Sequence, residues 1–177
     1  MIFRRVGFDG YRSVSFLQQK KYTRFLAQAA VIAAVYVVLT VVFAPFSFSE
    51  VQVRISEALT ILPVFTAAAV PGLTVGCLLG NIVGGAPLPD VVFGTLATLL
   101  GAVGTRLLRG WKPAAAILPP IVANMVIIPF VLRYAYDLEL PIPLMMVTVG
   151  LGEVISCGVL GLLLYKALYS RRKELFR

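Results

Sequence analysis

The sequence predicts an all-α integral membrane protein with six transmembrane helices. Of its 177 residues, 59% are hydrophobic and only 14% are charged, and the mean hydropathy is +0.92. A soluble domain usually carries about 25% charged residues, so this chain has too little polar surface for a water-soluble globule. The composition therefore excludes a disordered chain, a secreted disulfide scaffold and almost every soluble enzyme. A succession of apolar segments and the one-sided placement of the basic residues complete the prediction.

Each apolar segment is a candidate span, because a helix needs roughly 20 apolar residues to cross the hydrocarbon core. The six segments cover approximately residues 25–43, 55–69, 71–84, 88–108, 114–132 and 143–165. The second and third are short, and we expect Pro71-Gly72 to break the chain between them. A rival interpretation merges these two segments into one kinked helix, which gives five spans and places the termini on opposite sides.

The distribution of basic residues favours six spans. With six, 14 of the 16 Lys and Arg residues lie on one side, and the other side keeps Arg54 and Arg133. Basic residues gather on the cytoplasmic side of membrane proteins, so both termini are predicted to be cytoplasmic. We divide the chain into a basic cytoplasmic N-terminal segment (1–24), a six-helix domain (25–168) and a basic cytoplasmic tail (169–177). The first apolar run is too long for a signal peptide, and we interpret the basic residues before it as a topology anchor on anionic lipid rather than a nucleic-acid site.

Several motifs of self-sufficient enzymes and pumps are missing from the sequence. It has no G-x-x-x-x-G-K-[ST] phosphate loop, no His residue, no Cys/His cluster and no evident internal repeat. We therefore predict no catalytic residues, no metal site and no cofactor, and we expect Cys77 and Cys157 to pack as small apolar side chains. Because the chain has no motif for ATP hydrolysis, we predict a binding subunit that takes its energy from partner proteins.

Small residues recur at four-residue spacing, which lets helix backbones approach closely. One such series consists of Gly72, Gly76, Gly80 and Gly84, and we expect it to pack within the chain. Another consists of the pairs Ala29/Ala33 and Ala30/Ala34 in the first helix. For these alanines, packing within the chain and contact with another subunit remain open alternatives.

Two polar residues lie near the middle of the membrane. Glu153 and Asn124 each fall about ten residues, or about 15 Å of helical rise, into their helices. Because the fifth and sixth helices are antiparallel, we expect these two side chains to meet. Glu153 has no basic residue within a helical turn. A buried carboxylate without a cation is costly, which marks Glu153 as the strongest candidate for a functional residue.

A second polar group lies closer to the outer face and contains Arg54, Glu57, Asn81 and Asp90. Structural roles are open for this group: Arg54 and Glu57 have the i,i+3 spacing of a local ion pair, Ser56 can cap the second helix, and Asp90 suits the start of the fourth. All these polar residues lie in the outer half or the middle, which predicts a polar cavity open to the outside. Aromatic residues at similar depth belong either to an interface belt or to a stacking surface for a planar ligand: Tyr36, Phe43, Phe46, Phe48, Phe93, Tyr134 and Tyr136.

Several segments together resemble one known family. They are residues 52–63 (QVRISEALTILP), Pro71-Gly72 with the following Gly76, Gly80 and Asn81, residues 90–100 (DVVFGTLATLL), Asn124, and Gly152-Glu153. Over about residues 24–168 the chain is similar to the QueT-type family of substrate-binding (S) components of energy-coupling factor (ECF) transporters, which import queuosine precursors in bacteria. The resemblance implies a six-helix S-component bundle in the bacterial plasma membrane. It also implies a transmembrane coupling subunit and two ABC ATPases as partners, with Ala29, Ala30, Ala33 and Ala34 facing the coupling subunit.

The ligand that the resemblance implies is a 7-deazaguanine base. Such a base presents two adjacent N–H donors, which we expect Glu153 to accept with Asn124 beside it. Glu57 or Asp90 would balance an aminomethyl cation, and Arg54 would donate to the ring carbonyl or hold Glu57. The candidate substrate-binding residues are thus Glu153, Asn124, Glu57, Arg54, Asp90 and Asn81. The alternatives are an S component for another vitamin or nucleobase-like micronutrient, a membrane enzyme using Glu153 as a general base, and a purely structural subunit.

Overall fold

The computed structural model describes residues 8–43 and 54–176, with side chains from Gln18 onward. Over these ranges the chain is helical and contains no β-strand. The elements in order are α1 (Phe8–Val42), a 3₁₀ segment (Ile55–Val64), α2 (Ala69–Val83), α3 (Leu88–Leu107), a 3₁₀ turn (Leu108–Gly110), α4 (Pro113–Ala116), α5 (Leu118–Ala135), α6 (Ile142–Glu153), a π segment (Val154–Leu160), α7 (Gly161–Tyr169) and α8 (Arg172–Leu175).

In the part of the chain that the structure describes, four helical stretches are long and apolar enough to cross a membrane: Gln18–Val42, Leu88–Gly110, Pro113–Ala135 and Ile142–Tyr169. The two remaining apolar helices, Ile55–Val64 and Ala69–Val83, are shorter. The six predicted apolar segments thus correspond to six helical stretches, of which four meet the length of a full span.

The break between the second and third segments lies earlier than we expected. The chain turns at residues 65–68, and Pro71 lies inside the first turn of α2, where its missing N–H costs no hydrogen bond. The 3₁₀ segment and α2 are antiparallel, because Arg54 before the first contacts Asn81 near the end of the second. The merged, kinked helix is therefore wrong.

The 3₁₀ segment lies in the centre of the bundle, with residues 56–63 buried. Pro63 lacks the amide hydrogen that an α-helix would use at this position. A 3₁₀ helix rises about 2.0 Å per residue against 1.5 Å in an α-helix, so ten residues extend about 20 Å rather than about 15 Å. At its end, Arg106 Nη1 donates to the carbonyl oxygen of Pro63 at 2.9 Å, which satisfies a backbone acceptor.

Three of the four glycines in the series pack against α1, which confirms the predicted packing within the chain for Gly72, Gly76 and Gly80. A Cβ on Gly72 would lie 2.8 Å from the carbonyl oxygen of Ala29, and one on Gly76 would lie 2.7 Å from the Cβ of Tyr36. Gly80 faces Thr40. This close seam places one face of α1 directly beside the 3₁₀ segment, where Thr40 Oγ1 donates to Ser56 Oγ at 2.9 Å.

The C-terminal residues return to the start of the bundle. The Phe176 ring stacks on Phe65 at 5.4 Å, and Phe65 stacks on Tyr165 at 5.2 Å. Gln28 Nε2 of α1 donates to the carbonyl oxygen of Leu175 at 3.4 Å. The middle of α1, around Gln28, and the C-terminal segment therefore lie against each other.

Candidate functional site

The interior of the bundle contains two groups of buried polar side chains. The first, which we call the arginine cluster, consists of Arg54, Asn81, Asp90 and Tyr136. The second, the glutamate cluster, consists of Tyr36, Glu57, Thr60, Thr98, Asn124, Glu153 and Cys157. Arg54 and Glu57 are three residues apart, so the start of the 3₁₀ segment contributes to both clusters.

The arginine cluster is built on an ion pair. Arg54 Nη2 lies 3.1 Å from Asp90 Oδ2, and the two side chains are 5% and 0% exposed. Asn81 accepts from Arg54 at 3.4 Å and donates to the backbone oxygen of Asp90 at 3.2 Å. Gly94 leaves the space that the carboxylate occupies, since a Cβ there would lie 2.8 Å from Asp90 Oδ1. This set of contacts ties the 3₁₀ segment to α2 and α3.

Tyr136, which follows α5, donates to Asp90 Oδ2 at 2.7 Å. Burial raises the pKa of the Tyr136 phenol, and the nearby Asp90 carboxylate raises it further, because both disfavour a tyrosinate anion. The phenol therefore remains a hydrogen-bond donor throughout the physiological range and joins the end of α5 to the cluster.

The contact of Arg54 differs from the local pair with Glu57 that the sequence suggested. Arg54 precedes the 3₁₀ segment with an extended backbone (φ −86°, ψ 103°), and its side chain reaches Asp90 instead. Ser56 also does not cap the segment, where no side-chain cap is present; its hydroxyl accepts from Thr40. The predicted helix-start roles of Arg54 and Ser56 are therefore wrong, whereas Asp90 does lie in the first turn of α3.

The glutamate cluster places two carboxylates close together in the core. One carboxylate oxygen of Glu57, one of Glu153 and the Cys157 sulfur lie within 4.8 Å of one another. Asn124 Nδ2 donates to Glu153 Oε1 at 3.0 Å, which confirms the expected meeting of these two side chains. The Cys157 thiol donates to Glu153 Oε2 at 3.0 Å. Glu153 is thus held from both α5 and the π segment.

Glu57 is held from two other helices. Its Oε1 accepts from the Tyr36 hydroxyl of α1 and from Thr98 Oγ1 of α3, the latter at 3.4 Å. Its Oε2 is buried and has no hydrogen-bond partner among the residues that the structure describes. An unsatisfied buried carboxylate oxygen is costly, so this atom is a natural acceptor for a proton donor or a cation that enters the core.

The comparisons with known proteins agree on one family. Residues 26–170 match the family described as QueT transporter. The chain belongs to the QueT transporter family. Over 84 residues it is also 31% identical to the queuosine precursor transporter QueT of Lactococcus lactis subsp. cremoris (strain MG1363). That alignment covers 46% of this chain and 49% of the relative, so it spans about half of either protein. No solved structure matches the chain.

Membership of the QueT transporter family and four helices of membrane-spanning length make the chain a multi-pass membrane protein. All six candidate substrate-binding residues are buried in it, none more than 4% exposed. Arg54, Asn81 and Asp90 meet in the arginine cluster, and Glu57, Asn124 and Glu153 meet in the glutamate cluster. The expected opening to the outside is not seen at these side chains, which α1, α2 and α3 enclose together with the later helices.

The four candidate interface alanines divide between two faces of α1. Ala29 and Ala33 lie in the seam against Gly72 and Gly76, whereas Ala30 and Ala34 are exposed. Of the aromatic candidates, Tyr36 and Tyr136 hydrogen-bond the two clusters, and Phe93 and Tyr134 are exposed. Phe46 and Phe48 lie outside the described residues.

Sequence reasoning named Tyr36 and Tyr136 only as aromatic candidates, and it missed three members of the clusters: Thr60, Thr98 and Cys157. The sequence could have revealed Thr98, because Asp90, Gly94 and Thr98 follow one another at four-residue intervals on one face of α3. Cys157, which we expected only to pack, lies four residues after Glu153, and its sulfur lies 3.3 Å from Thr60 Oγ1. Thr60 carried no such signal, because its place beside Cys157 depends on the packing of two elements that are far apart in the sequence.

Proposed function

We propose that this protein binds a queuosine precursor, a 7-deazaguanine base, at the glutamate cluster for transport across the bacterial plasma membrane. The observation that carries the proposal is the pair Asn124–Glu153 beside Glu57 in the core of a QueT family member. The guanine-like edge of the base has two adjacent N–H donors, which one carboxylate accepts together. Glu153 accepts this edge with Asn124 beside it, and Glu57 balances an aminomethyl cation.

The arginine cluster has a second place in the proposal. Asp90 Oδ1 is buried without a hydrogen-bond partner in the described part of the chain and is the alternative acceptor for the cationic group. Arg54 and Asn81 provide donors to the ring carbonyl. The ion pair between Arg54 and Asp90 favours a positioning role for Arg54, because its guanidinium is already oriented by that carboxylate.

We further propose six membrane crossings with both termini in the cytoplasm, and residues 25–168 as the substrate-binding domain between the basic segments 1–24 and 169–177. The contact of Gln28 with Leu175 supports an even number of crossings, because Gln28 lies near the start of the first predicted span and Leu175 follows the last one. The excess of Lys and Arg on that side supports its cytoplasmic orientation. A label on Lys112 that reacts from outside intact cells would contradict this topology.

As an S component, the protein would deliver the base by way of a transmembrane coupling subunit and two ABC ATPases. The sequence supports a dependent subunit, since it has no phosphate loop of its own. The exposed Ala30 and Ala34 offer a smooth face of α1 to the coupling subunit, while Ala29 and Ala33 support that face from within the seam. Ala30→Leu with Ala34→Leu should reduce co-purification of these partners without changing base affinity. Val92→Leu on the exposed face of α3 is the control.

The deciding experiment is calorimetry on the purified full chain with 7-deazaguanine bases, riboflavin, thiamin and biotin. We expect binding of the 7-deazaguanine bases alone. Glu153→Gln should weaken it strongly, because the amide replaces one acceptor atom with a donor. Glu139→Gln, at an exposed position, is the matched control. Binding of another vitamin in place of the bases, or unchanged affinity in Glu153→Gln, would refute the assignment.

A further inference from the structure

The glutamate cluster contains a set of side chains that the recognition of a base does not by itself require. Glu57, Glu153 and Cys157 bring two carboxylates and one thiol together, with ligand atoms within 4.8 Å of one another and all three residues buried. Glu153 and Cys157 are four residues apart on one helical stretch, so they lie on the same face. Glu57 is 100 residues away from Cys157 along the chain and is supplied by the 3₁₀ segment.

Each of these three groups contacts a polar side chain from outside the set. The hydroxyls of Tyr36 and Thr98 bond Glu57 Oε1, and Asn124 bonds Glu153 Oε1. The Thr60 hydroxyl, which donates to the backbone oxygen of Glu57 at 2.6 Å, lies 3.3 Å from the Cys157 sulfur. Metal ligands in proteins are typically fixed in this way by partners that leave the coordinating atoms directed at the ion.

The free atoms of the set point to a ligand. Within residues 8–43 and 54–176, Glu57 Oε2 has no hydrogen-bond partner although the residue is only 1% exposed. Glu153 Oε2 is bonded only through the thiol hydrogen of Cys157, which a coordinated sulfur loses. One oxygen of each carboxylate and the Cys157 sulfur lie within 4.8 Å of one another, so one ion can contact all three, and its positive charge would offset the cost of burying two carboxylates.

We propose that Glu57, Glu153 and Cys157 bind a divalent transition-metal ion of the zinc type. Mixed oxygen and sulfur ligands suit Zn²⁺ and Co²⁺, whereas Mg²⁺ and Ca²⁺ prefer oxygen alone. Binding forms one metal–sulfur and two metal–oxygen bonds and transfers the thiol proton to solvent, without any change in oxidation state. Three protein ligands leave a fourth position of a tetrahedral ion open. The site shares Glu57 and Glu153 with the proposed base site but does not depend on it.

The test uses the full chain in detergent, stripped of metal with a chelator, and titrated with Zn²⁺ or Co²⁺ alone. We expect equimolar binding by calorimetry and, with Co²⁺, a near-ultraviolet thiolate-to-metal charge-transfer band. Cys157→Ser should abolish the band and weaken Zn²⁺ binding by at least about 100-fold. Losing a residue that only orients a ligand lowers metal affinity by about 10- to 100-fold, and losing the ligand itself should cost at least as much. Cys77→Ser is the matched control, because both cysteines are free and fully buried. Thr60→Val should keep the band and weaken binding about 10-fold.

Absence of equimolar Zn²⁺ and Co²⁺ binding would overturn the proposal, as would a Cys157→Ser protein that binds like Cys77→Ser. Thermal unfolding of both serine variants shows whether each is folded. If Cys157→Ser does not fold, the metal titration of Thr60→Val serves as the test in its place. The two proposals fail separately. Base binding without metal binding refutes only this site, whereas metal binding without base binding refutes only the proposed function.

Discussion

The seam between α1 and α2 allows a graded test of how tightly the site is held. In Gly76→Ala the new Cβ would lie 2.7 Å from the Cβ of Tyr36 and 3.1 Å from the Cα of Ala33. Carbon atoms prefer about 3.5–4.0 Å, so α1 must move away by about 1 Å. In Gly80→Ala the nearest atoms belong to the Thr40 side chain at 3.3 Å, and a shift of a few tenths of an ångström is enough.

These distances predict opposite effects of Gly76→Ala and Gly80→Ala on the free energy of unfolding. Overpacking costs about 1–3 kcal/mol, and Gly76→Ala belongs in the upper part of this range because the obstructing atoms are attached directly to the backbone. Replacing Gly by Ala inside a helix returns about 1 kcal/mol. We therefore expect Gly76→Ala to lower the free energy of unfolding by about 1–2 kcal/mol, and Gly80→Ala to leave it unchanged or raise it by up to about 1 kcal/mol.

The assay is thermal unfolding of the purified variants in the same detergent. For a chain of this size 1 kcal/mol corresponds to about 2–4 °C, so Gly76→Ala should reduce Tm by about 2–8 °C. It should also weaken ligand binding, because the displaced Tyr36 donates to Glu57. Equal Tm values for the two variants, or a lower Tm for Gly80→Ala, would refute the packing argument.

The other predictions concern the arginine cluster and the C-terminal segment. Asp90→Asn should destabilise the fold by about 3–5 kcal/mol by breaking a buried ion pair, while the exposed Asp137→Asn leaves the unfolding midpoint unchanged. Tyr136→Phe should cost about 1–2 kcal/mol. The pKa of this phenol is raised on folding, so the contribution of its hydrogen bond to the free energy of unfolding is complete below pH 10 and is lost as the pH rises through the higher folded pKa. If the difference in unfolding free energy between the original protein and Tyr136→Phe disappears below pH 9, this prediction is wrong. Phe176→Ala should cost about 0.5–1.5 kcal/mol from the lost stacking on Phe65, with base and metal affinities unchanged in calorimetry.

The helical stretches could be predicted because hydropathy depends mainly on local composition. Their hydrogen-bonding pattern could not. The 3₁₀ form of Ile55–Val64 and the π form of Val154–Leu160 depend on how neighbouring helices contact these segments, and sequence periodicity does not encode that packing. Pro71 was misread for a related reason, since a proline is compatible both with a break and with a first helical turn.

The candidate site was predictable where two residues shared one depth on adjacent antiparallel helices. Asn124 and Glu153 met this condition, and they are hydrogen-bonded. Arg54 did not, because its i,i+3 spacing to Glu57 suggested a local pair, and its actual partner, Asp90, lies 36 residues away. Side-chain partners are decided by tertiary packing when the backbone before a helix is extended, and sequence spacing then misleads.

The two clusters differ in how their charges are met, and this difference makes the glutamate cluster the stronger candidate for ligand binding. In the arginine cluster a cation and an anion meet directly, so the charge of Asp90 is already offset, although its Oδ1 has no hydrogen-bond partner among the described residues. In the glutamate cluster the hydrogen-bond partners of Glu57 and Glu153 are neutral hydroxyl, amide and thiol groups. Neutral donors orient a carboxylate but do not cancel its charge, and a core that needed only stability would do better with apolar residues. Two carboxylates kept side by side, one with an unsatisfied oxygen, are explained by a ligand that brings protons or positive charge, which is what the base and the metal ion have in common.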